Sequence, residues 1–514
     1  MTGGVDAELV ASLRADLLAA GYTVDRLRQL WGDEADAALA RGDRVPASRA
    51  LRAVRAAAAP AATLARLFVL AEPVGDAQLA NALPRLGVAG ARALGLVDAV
   101  GRALIDLRPY TALDAGGAVQ WFIASDLDEL ALGGALPPDH VLGVGGASLT
   151  LAALIPTAPV ESVLDLGTGC GIQSLHAARH ARRVVATDIS TRALERARLT
   201  LALNAVTVVE LRQGDLFAAV VGERFDRIVS NPPFVITPRG TGAPVYEYRD
   251  GGLVGDAIIE HVVHGCAEHL VPGGTAHLLG NWEYHNGFGG DGLARVRRWI
   301  DEAGLDGWVV ERERQTPAEY AATWIRDGGT RVGTSEYEVR AAEWLDDFAA
   351  RGVTAVGFGY LLLRKPMVRD SARLLRTEVL TSPLGSVVAG GAPTGIGDHL
   401  LAGLRAYDRV AALDDAALGA HRLTVAPDVT EERHYWPGEE NPTVIRLRQG
   451  GGFARTIDAD AALAGLVGAS DGELMVAEIV GALADLLEVT EAALRGDLLP
   501  RVRELIVTGL LAFE

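Results

Sequence analysis

Between residues 163 and 279 short apolar runs alternate with helix-patterned stretches, and this alternation limits the possible folds more than any other property of the chain. Val163-Leu164-Asp165-Leu166, Val184-Val185-Ala186-Thr187, Val206–Leu211, Phe225–Ser230 and Thr275–Leu279 read as buried strands. Ile172–Ala181, Arg192–Asn204 and Asp256–Leu270 lie between them with helical periodicity. A parallel pair needs a long crossover, so βαβα repetition specifies a parallel sheet with helices on both faces. Ligands then bind beyond the carboxyl ends of the strands. After the helix Leu293–Ala303, runs near Trp308–Glu311 and Val356–Leu363 fit the last strands of a seven-stranded α/β sheet whose final member is antiparallel. The helical stretches Pro317–Ile325 and Glu336–Ala350 separate them, so the insertion Thr316–Phe348 is expected as a lid on the ligand-binding edge.

At 514 residues the chain is long enough for about three domains. From Val5 to about Ala71 apolar residues (Leu9, Leu13, Leu17, Leu18, Leu64, Phe68) recur at helical spacing. Asp76–Leu83, Val88–Leu94 and the alternating run Ala103–Leu107 follow, an order that resembles a winged helix. Residues 1–140 are therefore expected as a helical, winged-helix-like accessory domain and 141–368 as the sheet domain. A break at Pro366 opens the third region, 369–514. Its hairpin pattern (Val444–Leu447, Ala454–Ile457) and terminal helices from Leu474 to Leu511 again look winged-helix-like. Arg446, Arg448 and Arg455 there fit either a substrate grip or a solvated wing edge.

The 66 acidic and 48 basic residues leave a net charge of −18, which repels phosphate backbones and makes general nucleic-acid binding unlikely on charge alone. Two cysteines, Cys170 and Cys266, cannot build a disulfide framework or a four-cysteine metal site, and no metal is expected. Asp6 and Glu8 stand where a secretory signal needs basic residues before an apolar core. No apolar run approaches the ~20 residues of a spanning helix. The expectation is a soluble, cytoplasmic protein without membrane contact.

The chemistry-bearing residues fall at successive strand ends. Asp165-Leu166-Gly167-Thr168-Gly169-Cys170-Gly171 follows the first strand and opens a helix, and its glycines let the backbone turn tightly and approach a ligand. A dinucleotide fold wants Gly or Ala three residues after Gly169, where Ile172 stands, so this spacing favours S-adenosylmethionine over a nicotinamide cofactor. Asp188, followed by Ile189, ends the second strand and is placed to accept hydrogen bonds from both ribose hydroxyls of an adenosine. Asp215 follows the third strand, placed for the exocyclic amine of the adenine, with Leu216 or Phe217 against the ring.

Ser230-Asn231-Pro232-Pro233-Phe234 ends the fourth strand. Two prolines stiffen this loop and remove two donors, leaving the Pro232 carbonyl and the Asn231 oxygen as acceptors for both hydrogens of a planar NH2. Phe234 offers a stacking face. Asn231, Pro232 and Phe234 are the expected catalytic set, and Asn231 also borders the cofactor. With Asp165–Gly171, Asp188, Asp215 and Asn231–Phe234 in place, residues 140–365 resemble the class I methyltransferases. Within them the likeness is to the release-factor glutamine methyltransferase family, whose relatives methylate exocyclic amines of bases. Arg249–Asp256 is similar to that family's glycine-rich segment. The resemblance implies a Rossmann-like sheet and methyl transfer from S-adenosylmethionine to a planar nitrogen. The family usually carries Tyr at the place of Phe234 and lacks a long C-terminal extension.

Other residues leave two readings each. Ser148, in the segment His140–Ser148, fits a contact to the cofactor carboxylate or a helix cap. Trp282, after the fifth strand with Tyr284, fits the acceptor pocket or core packing. Tyr246, Glu247 and Arg249 fit substrate selection or a solvated loop. His261, His264 and His269 share one helix without a partnered acidic ligand motif, which favours exposed or capped histidines. Cys170 is small enough for the glycine loop without a nucleophilic role. Three acceptors fit: a protein side-chain amide, which the family likeness and acidic charge favour, an amine of an RNA base, or a small amine or indole-like natural product.

Overall fold

The computed structural model describes residues 6–54, 59–114, 117–132, 136–239, 249–287, 290–368, 373–385 and 395–514. Its centre is an eight-stranded sheet formed by β1 (Val160–Leu166), β2 (Ala181–Asp188), β3 (Val209–Gln213), β4 (Phe225–Ser230), β5 (Leu270–His285), β6 (Asp306–Gln315), β7 (Val353–Arg364) and β8 (Leu375–Val379). The strand order is β3-β2-β1-β4-β5-β7-β6-β8. β7 alone opposes the other strands, pairing antiparallel with both β5 and β6. Val163, Leu164, Val184, Val185, Ile228 and Val229 are enclosed on both faces, as a parallel sheet under helices requires.

Register brings the strand tips to one level. Leu166 pairs with Thr187 on one side and Ser230 on the other, Ser230 pairs with Leu278, and Asp188 pairs with Gln213. The loops after β1, β2, β3 and β4 therefore leave the sheet side by side. The covering helices include α1 (Gly146–Leu154), α2 (Ile172–Ala177), α3 (Thr191–Leu203), α4 (Ala257–His269) and α5 (Gly292–Glu302). Between β6 and β7 stand α6 (Pro317–Asp327) and α7 (Ser335–Ala350), the expected insertion at the tip edge. Thr316 and Glu319 cap the start of α6 reciprocally, with Pro317 in its first turn, so the chain turns sharply off β6.

The seven expected strands are all present, and β8 extends them. The expected boundary at 368/369 falls before two elements that the sheet's core incorporates. β8 pairs parallel with β6, and Ile396, Leu400 and Leu404 of α8 (Ile396–Ala411) are buried in one cluster with Trp308 and Val309 of β6. Pro366 ends a strand there, not a core. Leu375-Arg376-Thr377-Glu378-Val379 carries no apolar pattern because it is an edge strand.

At the N-terminal end, helices Ala7–Ala19, Val24–Leu39, Val45–Arg52, Ala59–Phe68, Asp76–Ala82 and Gly87–Ala93 share a core that also takes in Leu199 and Leu203 of α3. The hairpin Asp106–Asp114/Gly117–Ser125 then clasps the sheet domain. Asn204, just past α3, accepts the Phe122 N–H at 2.9 Å and returns a bond to the Phe122 carbonyl at 2.8 Å. The C-terminal region builds two three-stranded sheets and the helices Ala461–Gly468, Val476–Leu486 and Glu491–Val507. Arg446 and Arg448 lie on an exposed strand paired to Asp458 and Glu432. Arg455 instead is buried and grips Glu378 of β8 at 2.6 Å. No helix among the described residues is long and apolar enough to cross a membrane.

Candidate active site

The glycine loop leaves β1 at Leu166. Gly167 and Gly169 have φ of +78° and +55°, a left-handed conformation that an L side chain resists. A Cβ added at either would meet nothing within 4 Å, so both face open space at the strand tips. Gly171, at φ +85°, differs: its added Cβ would lie 3.2 Å from Cα of Ala197 on α3. Asp165 is buried below the loop and accepts hydrogen bonds from Thr168 Oγ1 (2.7 Å) and Ser174 Oγ (2.6 Å). Burial lifts its carboxyl to about 6, against the lowering effect of those two bonds. Asp165 and Thr168 thus fix the loop from beneath. Cys170 is buried and its thiol is pushed up to about 12 by desolvation, so it supplies no thiolate.

Asp188 reaches across to the same loop. Its Oδ2 accepts the Gly169 N–H at 2.9 Å and its Oδ1 the Ser190 N–H at 2.9 Å. Ile189, next along, is 56% exposed at the same tip. At the β3 tip Asp215 is exposed and Leu216 adopts a left-handed φ of +45°, strain held at the start of the short turn Leu216–Val220. That turn sends Phe217 away from the tips to stack on His269 of α4, with centroids 4.6 Å apart. Of the two residues expected against an adenine, Phe217 is turned away, while Leu216 starts the turn beside Asp215.

Ser230 donates to the Leu166 carbonyl at 2.7 Å and ties the β4 tip to β1. Asn231 follows, and its Oδ1 is enclosed without a hydrogen-bond donor. An unpaired buried oxygen costs about 1–3 kcal/mol, a penalty that a bound N–H removes. The Pro232 carbonyl is not free as expected: the Phe234 N–H donates to it at 2.7 Å. With no N–H on either proline, Phe234 carries the first donor after Asn231 and the turn closes on it, leaving one carbonyl lone pair. Phe234 is itself enclosed, its ring 5.6 Å from Phe358 of β7 and edge-on to Trp324 of α6 at 6.5 Å. It floors the loop instead of offering an open face.

Several of the double readings resolve. Trp282, expected at the acceptor pocket, is fully buried and donates its indole N–H to Glu311 at 2.8 Å; Tyr284 donates to the same carboxylate at 2.6 Å. Strand alternation turns Trp282 inward, so it packs the core. Tyr246 and Glu247 lie outside the described residues. Arg249 is buried and holds Asp327 (2.7 Å) and the Trp324 carbonyl (2.9 Å) of α6, so it ties its own loop to the β6–β7 insertion. Ser148 is not a cap: Gly145 is the N-cap of α1, with no side-chain cap bond, and the Ser148 carbonyl accepts Gln173 Nε2 at 2.7 Å, docking α1 against α2. His261 and His269 bond carbonyls of their own helix. His264 has acidic neighbours that sequence spacing did not show, Glu260 one turn back and Glu302 at the end of α5, their ligand atoms within 4.8 Å of one another. Sequence reasoning also passed over Asn281 and Tyr320. Both are buried at the tip edge, Asn281 Nδ2 donating to the Tyr320 hydroxyl at 2.5 Å. Alternation along β5 is the signal that separates Asn281 from Trp282.

Residues 143–285 match the methyltransferase small domain. Residues 19–108 and 404–513 match two domains of unknown function, DUF7059 and DUF7782. The chain is 38% identical over 129 residues to a ribosomal protein uL3 glutamine methyltransferase of Bradyrhizobium diazoefficiens, covering 23% of this chain and 40% of that one. It is 35% identical to a release factor glutamine methyltransferase of Xylella fastidiosa, with 28% and 52% covered. Against a ribosomal RNA small subunit methyltransferase C of Escherichia coli it is 34% identical, with 26% and 35% covered. The chain thus spans about half the length, or less, of these curated relatives. Among solved structures, a T. thermophilus 16S rRNA N2 G1207 methyltransferase with AdoMet and guanosine aligns over half of each chain at 19% identity and a TM-score of 0.26.

Proposed function

Because residues 143–285 are a methyltransferase small domain on a class I sheet, we propose that the chain binds S-adenosylmethionine across the β1–β4 tips and methylates a planar nitrogen. The observation that carries this reading is the enclosed, donor-less Oδ1 of Asn231 beside the open space over Gly167 and Gly169. When bound, the cofactor supplies a methyl group already activated as a sulfonium. Gly167, Thr168, Gly169 and Gly171 form the cradle over Asp165. Asp188 accepts from ribose hydroxyls, Ile189 and Leu216 cover the adenine, and Asp215 accepts its amine.

Asn231 Oδ1 and the remaining Pro232 lone pair take the two hydrogens of the acceptor NH2. That orients the nitrogen lone pair at the methyl carbon and stabilises the positive charge that develops on nitrogen, worth several kcal/mol in a desolvated site. Phe234 keeps the loop at this level. The expected acceptor, a protein side-chain carboxamide, and the alternative, an exocyclic amine of an RNA base, both present such an NH2. What stands beside it separates them: a carbonyl oxygen in the carboxamide, a nitrogen in the base.

The test is transfer of labelled methyl groups from S-adenosylmethionine to protein and RNA fractions of a bacterial lysate, with wild type and Asn231→Ala in parallel. Label reaches one fraction with wild type alone. Equal labelling by Asn231→Ala overturns the reading.

A further inference from the structure

A second buried carboxamide stands beside the Asn231 loop. Asn281 lies on β5, three residues past Leu278, the register partner of Ser230. Paired residues share a face and side chains alternate, so Asn231 continues the level of Leu279 and Asn281 follows on that same face. Across β7 the partner of Asn281 is Phe358, whose ring meets Phe234. The Tyr320 hydroxyl that accepts from Asn281 Nδ2 also accepts the Ile236 N–H at 3.0 Å, so the carboxamide is pinned between the lid helix and the acceptor loop. Asn281 is 1% exposed, and its Oδ1 is enclosed with no donor.

Two enclosed carboxamide oxygens, from Asn231 and Asn281, therefore await N–H donors on one face. We propose that Asn281 is a specificity-determining residue whose Oδ1 accepts an N–H standing next to the methylated NH2. The site then prefers acceptors with an amidine-like edge, NH2 beside N–H, over carboxamides. A carboxamide sets its own carbonyl oxygen against Asn281 Oδ1, leaving two acceptors opposed and both unpaired, which costs about tenfold or more in affinity. This assignment rests on the methyl-transfer reading above and names the chemistry its acceptor must carry.

The test uses the full chain saturated with S-adenosylhomocysteine and three probes measured calorimetrically: guanosine, 2-aminopurine riboside and N-acetylglutaminamide. The two nucleosides share the amino group, and only guanosine has the adjacent N–H. Guanosine is expected to bind wild type at least about tenfold tighter than either other probe. Asn281→Ala is expected to abolish the preference between the nucleosides while binding S-adenosylhomocysteine within about twofold of wild type. Asn281→Asp, which keeps an acceptor oxygen at nearly the same place, is expected to retain it. Equal binding of the nucleosides to wild type, tighter binding of the glutaminamide, or a preference that survives in Asn281→Ala overturns the assignment alone. Failure of wild type to bind S-adenosylhomocysteine overturns the methyl-transfer reading and this assignment with it.

Discussion

Gly169 and Gly171 are two residues apart and both left-handed, yet alanine at each is expected to fail in a different way. At Gly169 the added Cβ meets nothing within 4 Å of protein and extends into the space assigned to the cofactor. The folded state carries the cost of a left-handed alanine, about 1–2 kcal/mol, partly offset by the lower entropy of the unfolded chain. At Gly171 the same cost is joined by the 3.2 Å approach to Cα of Ala197, a backbone atom of α3 that cannot step aside cheaply. Overpacking of that kind adds about 1–3 kcal/mol. Gly169→Ala should therefore lose about 1 kcal/mol of stability and at least about tenfold in S-adenosylhomocysteine affinity. Gly171→Ala should lose about 2–4 kcal/mol of stability, with a smaller affinity loss per folded molecule. Urea denaturation and calorimetric titration separate the two. If Gly169→Ala binds S-adenosylhomocysteine as wild type does, or is the less stable of the pair, the placement of the cofactor over this loop is wrong.

Three further outcomes follow from the geometry. Asn231→Ala should lower turnover by about a hundredfold or more while S-adenosylhomocysteine binds within about threefold, read by methyl transfer and calorimetry; loss of binding alone would make Asn231 a cofactor residue only. Folded Asp165, near 6, holds a proton that the unfolded chain releases at its ordinary 3.8, so wild type loses on the order of 2 kcal/mol of stability as pH rises from 4 to 6. Asp165→Asn should gain on wild type across that window and hold the difference above it in urea titrations; a difference flat from pH 4 to 7 refutes the protonation. Trp282→Phe should cost about 1–3 kcal/mol in thermal unfolding by leaving the Glu311 carboxylate short of a buried donor, and a neutral result would return Trp282 to the pocket.

The parallel sheet was legible because its core strands are apolar runs too short for helices, and the strand-end motifs then followed from topology. Asp165–Gly171, Asp188, Asp215 and Asn231 leave the sheet at one edge because parallel register puts them there. What sequence could not supply was orientation. Trp282 was the conspicuous residue past Leu279, and pairing with Glu311 makes it core within β5, while the plainer Asn281 beside it bonds Tyr320, which also takes the Ile236 N–H. The Pro232 carbonyl looked free until the Phe234 N–H two residues on found it. β8 escaped because an edge strand needs no apolar alternation, and α8 because its buried stripe packs on Trp308, far away in sequence. Arg249 was read as a loop residue, whereas its Asp327 partner lies 78 residues on, a contact that no local pattern encodes.

A crystal structure of the full chain with S-adenosylhomocysteine is the decisive measurement. The nucleoside is expected across the β1–β3 tips, with its ribose on Asp188 and its sulfur facing Asn231 across a gap that one methyl group fills. Density for the nucleoside elsewhere, or a sulfur pointing away from Asn231, would contradict this placement.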